Sequence, residues 1–229
     1  MTRAKVKLSV IAVAAAAVLS GCGMHPGAAA VVGDEQISTN TVDDAAAALC
    51  SSTVSAAVAQ GQPRPDLPSR GARSAAIQLL LDNELSRQYG EAEGIKVDQE
   101  AVSSALARSA QQINLLPQPE RAHFRALFLG FQVSQSILDQ AGAASLAQQG
   151  NANPSPEEAS AEGARLRNQW VKQQGIDVEV DPRFGEYANG TVTPTSGSLS
   201  IAASDRARQG AADEPGQAWT AGLPMSQKC

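Results

Sequence analysis

The stretch Ala28-Ala29-Ala30-Val31-Val32-Gly33-Asp34-Glu35-Gln36-Ile37-Ser38 sets two apolar stubs around Gly33-Asp34. That tight-turn signal predicts a small β-hairpin. Two strands alone are at best marginal in water, so the hairpin must lean on other elements. Far along the chain, Ile176-Asp177-Val178-Glu179-Val180 alternates apolar and acidic residues as a half-buried strand does. Asp181-Pro182-Arg183-Phe184-Gly185 follows it.

Between these two stretches the periodicity is helical. Asn40 is placed to cap a first helix with Asp43 and Asp44 in its opening turn. It runs to about Ala59 and stops before Pro63, Pro65 and Pro68. A second helix spans about Arg70 to Gly94, with Ile77, Leu80, Leu81, Leu85 and Tyr89 on one stripe. Asp98 caps a third, whose buried face is Val102, Leu106 and Ile113. Pro117 and Pro119 open a fourth, which carries Phe124, Leu127, Phe128, Phe131 and Leu138 on one side. Ser155-Pro156-Glu157-Glu158 is a capping box with proline at the first helical position. It starts a fifth helix to Gln174, with Leu166 and Trp170 as its apolar contacts. The fold class expected is mainly α, about five helices with a β-hairpin and a late strand. From about Ala188 the chain is poor in apolar residues and rich in Gly, Ser, Thr, Ala and Pro, so residues 188–229 are expected to be mostly disordered.

The start of the chain has its own logic. Arg3, Lys5 and Lys7 precede an apolar run from Leu8 to Leu19, the layout of an export signal. The run is short of the about 20 residues that a spanning helix needs. Leu19-Ser20-Gly21-Cys22 then resembles the bacterial lipobox. Residues 1–21 are expected to be a lipoprotein signal peptide and 22–27 a lipidated tether. A diacylglyceryl Cys22 would supply the two-chain anchoring that one acyl chain cannot. The mature protein would then stand on the extracytoplasmic face of the cell membrane.

The sequence holds 18 basic and 23 acidic residues. The signal takes three of the basic ones and none of the acidic, leaving a mature charge of −8. With no basic cluster interleaved with aromatics, nucleic acid is not expected as a partner. With Cys22 lipidated, Cys50 and Cys229 remain as an even pair in a disulfide-permissive compartment. A Cys50–Cys229 disulfide is expected, two free thiols being the alternative.

The order of parts, an export signal, a hairpin reading Val31-Val32-Gly33-Asp34-Glu35-Gln36-Ile37-Ser38, a helical block and a strand leading into Pro182-Arg183-Phe184-Gly185, resembles the N-terminal chaperone module of SurA- and PrsA-type foldases. The resemblance covers residues 28–187. It implies that the late segment returns to pair with the hairpin. It also implies a non-catalytic, chaperone-like function. The parvulin isomerase domain, about a hundred residues, that such foldases often carry would fall near Gln149 to Ser155, where it has no room.

Other chemistry finds no carrier in the sequence. The histidines are His25, on the tether, and His123, a poor basis for a metal site, and no cofactor is expected. There is no Gly-x-Ser-x-Gly elbow, phosphate loop or Cys-x-x-Cys pair, so an enzyme is not expected. Paired acids such as Asp43 and Asp44 are explained by helix N-termini. Arg183 is expected to be solvated or paired and Phe184 to pack. The function expected is the holding of unfolded or newly exported polypeptides. Tyr89, Leu127, Phe128, Phe131 and Trp170 are the candidate groove residues. The alternative is an envelope scaffold that docks one protein partner.

Overall fold

A computed structural model describes residues 26–193, 202–212 and 215–229. The expected signal peptide, Cys22 and His25 lie outside the described residues. Strands β1 (Ala28–Val32) and β2 (Glu35–Ser38) lead into helices α1 (Thr39–Ala59), α2 (Ser69–Ala92), α3 (Gln99–Asn114), α4 (Glu120–Gln148) and α5 (Pro156–Gln174). Strand β3 (Val178–Val180), a hairpin of β4 (Glu186–Ala188) and β5 (Thr191–Thr193), and short helices α6 (Asp205–Ala211) and α7 (Gln217–Ala221) follow. The protein is mainly helical with small antiparallel sheets, as the sequence predicts.

The hairpin turns at Gly33, whose φ of 60° suits the first central position of a two-residue turn. The first sheet has the order β2-β1-β3. Val32 pairs with Glu35 on one side and with Val178 on the other, and Ala30 pairs with Ile37 and Val180. The returning strand therefore closes on the hairpin across the whole helical block. Beneath the sheet the core gathers Val32, Val42, Ile77, Leu81 and Leu85, all fully buried, with Leu127, Phe184 and Val192 against them. Phe184 packs inward and Arg183 pairs with Asp181 at 2.6 Å.

Local capping departs from expectation at one end. Ser38, not Asn40, caps α1: its hydroxyl accepts from the Thr41 N–H at 3.0 Å. The last strand residue thus starts the helix. Asp43 and Asp44 then lie beyond the first turn and serve lateral pairs, Asp43 with Arg73 at 2.9 Å and Asp44 with His123 at 3.3 Å. The Asp98 cap and the reciprocal Ser155–Glu158 capping box form as the sequence predicts.

Trp170 of α5 makes its expected apolar contact, on Tyr89, but the face that the helix buries most deeply is built of small residues and one arginine. Ala159, Gly163 and Arg167 are buried, while Leu166 and Trp170 are only partly so. The reason is the closeness of the crossing with α4. A Cβ on Gly142 would sit 1.8 Å from the Ala159 carbonyl oxygen, and one on Gly163 would sit 2.0 Å from that of Leu138. Only small residues let two helix backbones approach this closely, so the large apolar residues are displaced to the flanks.

Among the described residues after Ala188, short elements form where the composition predicts mostly disorder. β5 pairs with β4, and Val192 is buried. Further on, Arg70 donates to the carbonyls of Gly210 and Ala212, Trp219 Nε1 donates to Arg206 O at 2.8 Å and Lys228 pairs with Asp66 at 2.8 Å. A disulfide joins Cys50 to Cys229. Charged anchors and one covalent link, neither weighed by apolar content, hold these short elements.

That link spans 179 residues, for which loop-closure entropy alone gives about 5 kcal/mol. Once the bond is lost the tail is expected to leave while the helical block stays folded, which would return part of that entropy to the folded state. The Cys50→Ser variant is expected to lose about 2 kcal/mol of stability in urea titration. In it, hydrogen exchange should quicken in α6 and α7 before α2 and α4.

Candidate functional site

Three helical stripes and a strand end converge on one groove. From α1 come Thr41, Asp44 and Ala45; from α2, Leu80, Asn83, Glu84 and Arg87; from α4, His123, Ala126, Leu127, Gly130 and Val133; Gln36 and Ile37 of β2 close the end. Each set follows the three- and four-residue spacing of one helix face. The groove encloses about 480 Å³. Its floor is apolar, with Ile37, Ala45 and Leu127 buried and Leu80 and Val133 partly exposed.

The rim is charged. Arg87 bridges Glu84 at 2.6 Å and Glu91 at 2.7 Å. Burial pushes the Glu84 carboxyl up, but hydrogen bonds from Arg87 and Gln88 outweigh it and hold the group below its ordinary range. His123 Nδ1 faces Asp44 across the opposite lip. Gly130 leaves room for the Asn83 side chain in the wall, since a Cβ there would lie 2.7 Å from Asn83 Nδ2. Asn83 Oδ1 is buried without a hydrogen-bond partner among the described residues. Among the described residues no cluster of three or more His, Cys, Asp or Glu could hold a metal. What this arrangement can do is seat apolar groups under a polar rim.

Of the five residues singled out from sequence, only Leu127 lines the groove. Tyr89 is buried and packs on Trp170, ring centroids 5.7 Å apart. Phe128 stacks on Phe124 at 6.2 Å and meets Phe131 at 6.4 Å, forming a partly buried ladder along α4. Sequence reasoning passed over Ile37, Ala45, Leu80 and Val133. Their signal was available as in-phase spacing, but phase does not say which of several apolar positions border a gap.

A second electrostatic feature lies beside α5. Hydrogen bonds from Arg165 and Ser145 hold the Glu162 carboxyl down to about 2. Arg183 likewise lowers the Asp181 carboxyl. In both cases the folded protein binds the proton less tightly than the unfolded chain does. Their stabilisation is complete above the ordinary carboxylate range and is lost as pH falls through the lowered values. Stability is therefore expected to decline between about pH 5 and about pH 2, and less steeply in Glu162→Gln, as read by urea titration at each pH.

With this geometry in view, residues 2–115 match the SurA-like N-terminal domain. The chain carries a SurA-like N-terminal domain. Such a domain is a non-catalytic, chaperone-like module. The match takes in β1, β2 and α1 to α3, and ends as α3 ends. Helices α4 and α5 and strand β3 lie beyond it, and the pairing of β1 with β3 binds them to the SurA-like part. Only residues 149–155 separate α4 from α5, so no isomerase domain is inserted there. No curated protein and no solved structure matched the chain.

Proposed function

We propose that this protein is a membrane-anchored extracytoplasmic lipoprotein whose SurA-like domain, without catalysing a reaction, holds unfolded or newly exported polypeptides. The observation that carries the reading is the apolar-floored groove walled on two sides by α1 and α2 of the SurA-like domain. The anchor is Cys22, and no helix among the described residues is long and apolar enough to cross a membrane. Cys22→Ser is expected to free the protein from the membrane fraction and to remove the lipid from its mass.

The test of holding is the aggregation of a chemically unfolded client, followed by light scattering, with the soluble fragment from Gly23, which lacks the lipid, and an inert protein of equal size as control. Suppression at or below equimolar ratio is the expected result. No effect at several-fold excess would move the function to one dedicated envelope partner. A specific observation favours that second reading: large apolar side chains exposed among the described residues are few and scattered, namely Val58, Leu115, Leu129 and Met225. A general holdase surface would be broader.

A further inference from the structure

We infer that the free edge of β2 and the groove beside it bind an extended strand of client polypeptide, carrying apolar residues flanked by lysine or arginine, by adding it to the sheet. The inference rests on the chaperone reading and names how the client is held. β2 is an edge strand, since the sheet runs β2-β1-β3. In a two-residue hairpin the residues flanking the turn, here Val32 and Glu35, exchange both main-chain hydrogen bonds. The next residue, Gln36, therefore turns its N–H and C=O away from β1. Among the described residues no hydrogen bond to those two groups closes the edge. An open edge of this kind is a template for another strand.

The groove lies against that edge. Neighbouring residues of a strand point to opposite faces, yet both Gln36 and Ile37 line the groove, which places it alongside the strand. A strand paired to Gln36 would lower an alternate side chain onto Ile37 and Leu127, both buried below. Asn83 Oδ1, unpaired in the wall, would be satisfied by a donor arriving there.

Charge selects the client. Asp34, Glu35 and Asp44 are exposed around the edge and the lip, whereas Arg87, the arginine of the rim, is engaged by two glutamates. The mouth therefore complements a cationic strand, and main-chain pairing makes recognition tolerant of the rest of the sequence.

The test uses the mature chain and a fluorescent eight-residue peptide alternating valine and lysine, read by anisotropy. Two comparison peptides are needed: one N-methylated at two consecutive central amides, so that neither edge can pair, and one with glutamate for lysine. Each should bind at least tenfold more weakly than the parent. Gln36→Pro, at a position an edge strand tolerates, should weaken the parent tenfold with the helical circular dichroism unchanged. Equal binding of the N-methylated peptide would overturn strand addition, whatever the Gln36→Pro variant does. Absence of peptide binding in a chain that still suppresses client aggregation would overturn this site alone. Absence of both would overturn the chaperone reading with it.

Discussion

Replacing Arg167 with leucine is expected to lower the free energy of unfolding by about 3 kcal/mol, measured in urea. The guanidinium is buried and lies between α5 and α2, where Nη2 meets Asp82 Oδ1 at 3.0 Å and Nη1 donates to Ser86 Oγ at 3.2 Å. Ser134 of α4 donates to the same hydroxyl at 2.8 Å. One cation thus ties three helices. Breaking a buried pair costs about 3–5 kcal/mol. The lower end applies because Asp82 remains 31% exposed and can be rehydrated.

The loss should propagate. Gln78 donates to Asp82 at 2.8 Å, and its own Oε1 accepts from Val192 N at 2.6 Å, which holds the β4–β5 hairpin. Exchange of the Val192 amide should therefore quicken in Arg167→Leu. Adding Asp82→Leu should restore part of the stability, because the pair then leaves no orphaned charge. A double variant worse than Arg167→Leu by the full cost of Asp82→Leu would show that the two groups are not coupled.

How far the sequence discloses the fold depends on which physical signal each part uses. The hairpin and β3 are legible because strands advertise themselves by alternation and a glycine turn, and the long helices because their apolar stripes and caps are local. The cap of α1 is ambiguous in the sequence, since Ser38 and Asn40 are equally good caps and only the exact end of β2 decides between them. Arg167 is invisible because an arginine on a helix is ordinarily solvated, and nothing local says that Ser86 and Ser134 will meet it. The groove is legible only in its parts. Leu80 and Leu127 belong to apolar stripes that mark burial, but the groove they line is shared by α1, α2 and α4, a fact about three helices at once.

The close crossing of α4 and α5 gives the other large effect. Gly163→Ala and Gly142→Ala are each expected to cost about 3 kcal/mol, at the top of the usual range for overpacking. In both cases the added carbon would meet a backbone carbonyl, 2.0 Å and 1.8 Å away, and not the tip of a side chain that could swing aside. Relief requires α4 and α5 to separate. Separation strips contacts from Leu138 and Ala159 alike, so the double variant should cost clearly less than the sum: helices already parted for one methyl have room for the second. Full additivity in urea titration would mean that each site relaxes locally and that the crossing is not a single rigid contact. The consequence reaches the sheet. α5 runs on through Gly175 into β3, and β3 pairs with β1, which holds β2. A shift of α5 therefore displaces the strand that braces the hairpin from behind, and Gly163→Ala should weaken the valine–lysine peptide as well as the fold, although no atom of Gly163 lines the groove.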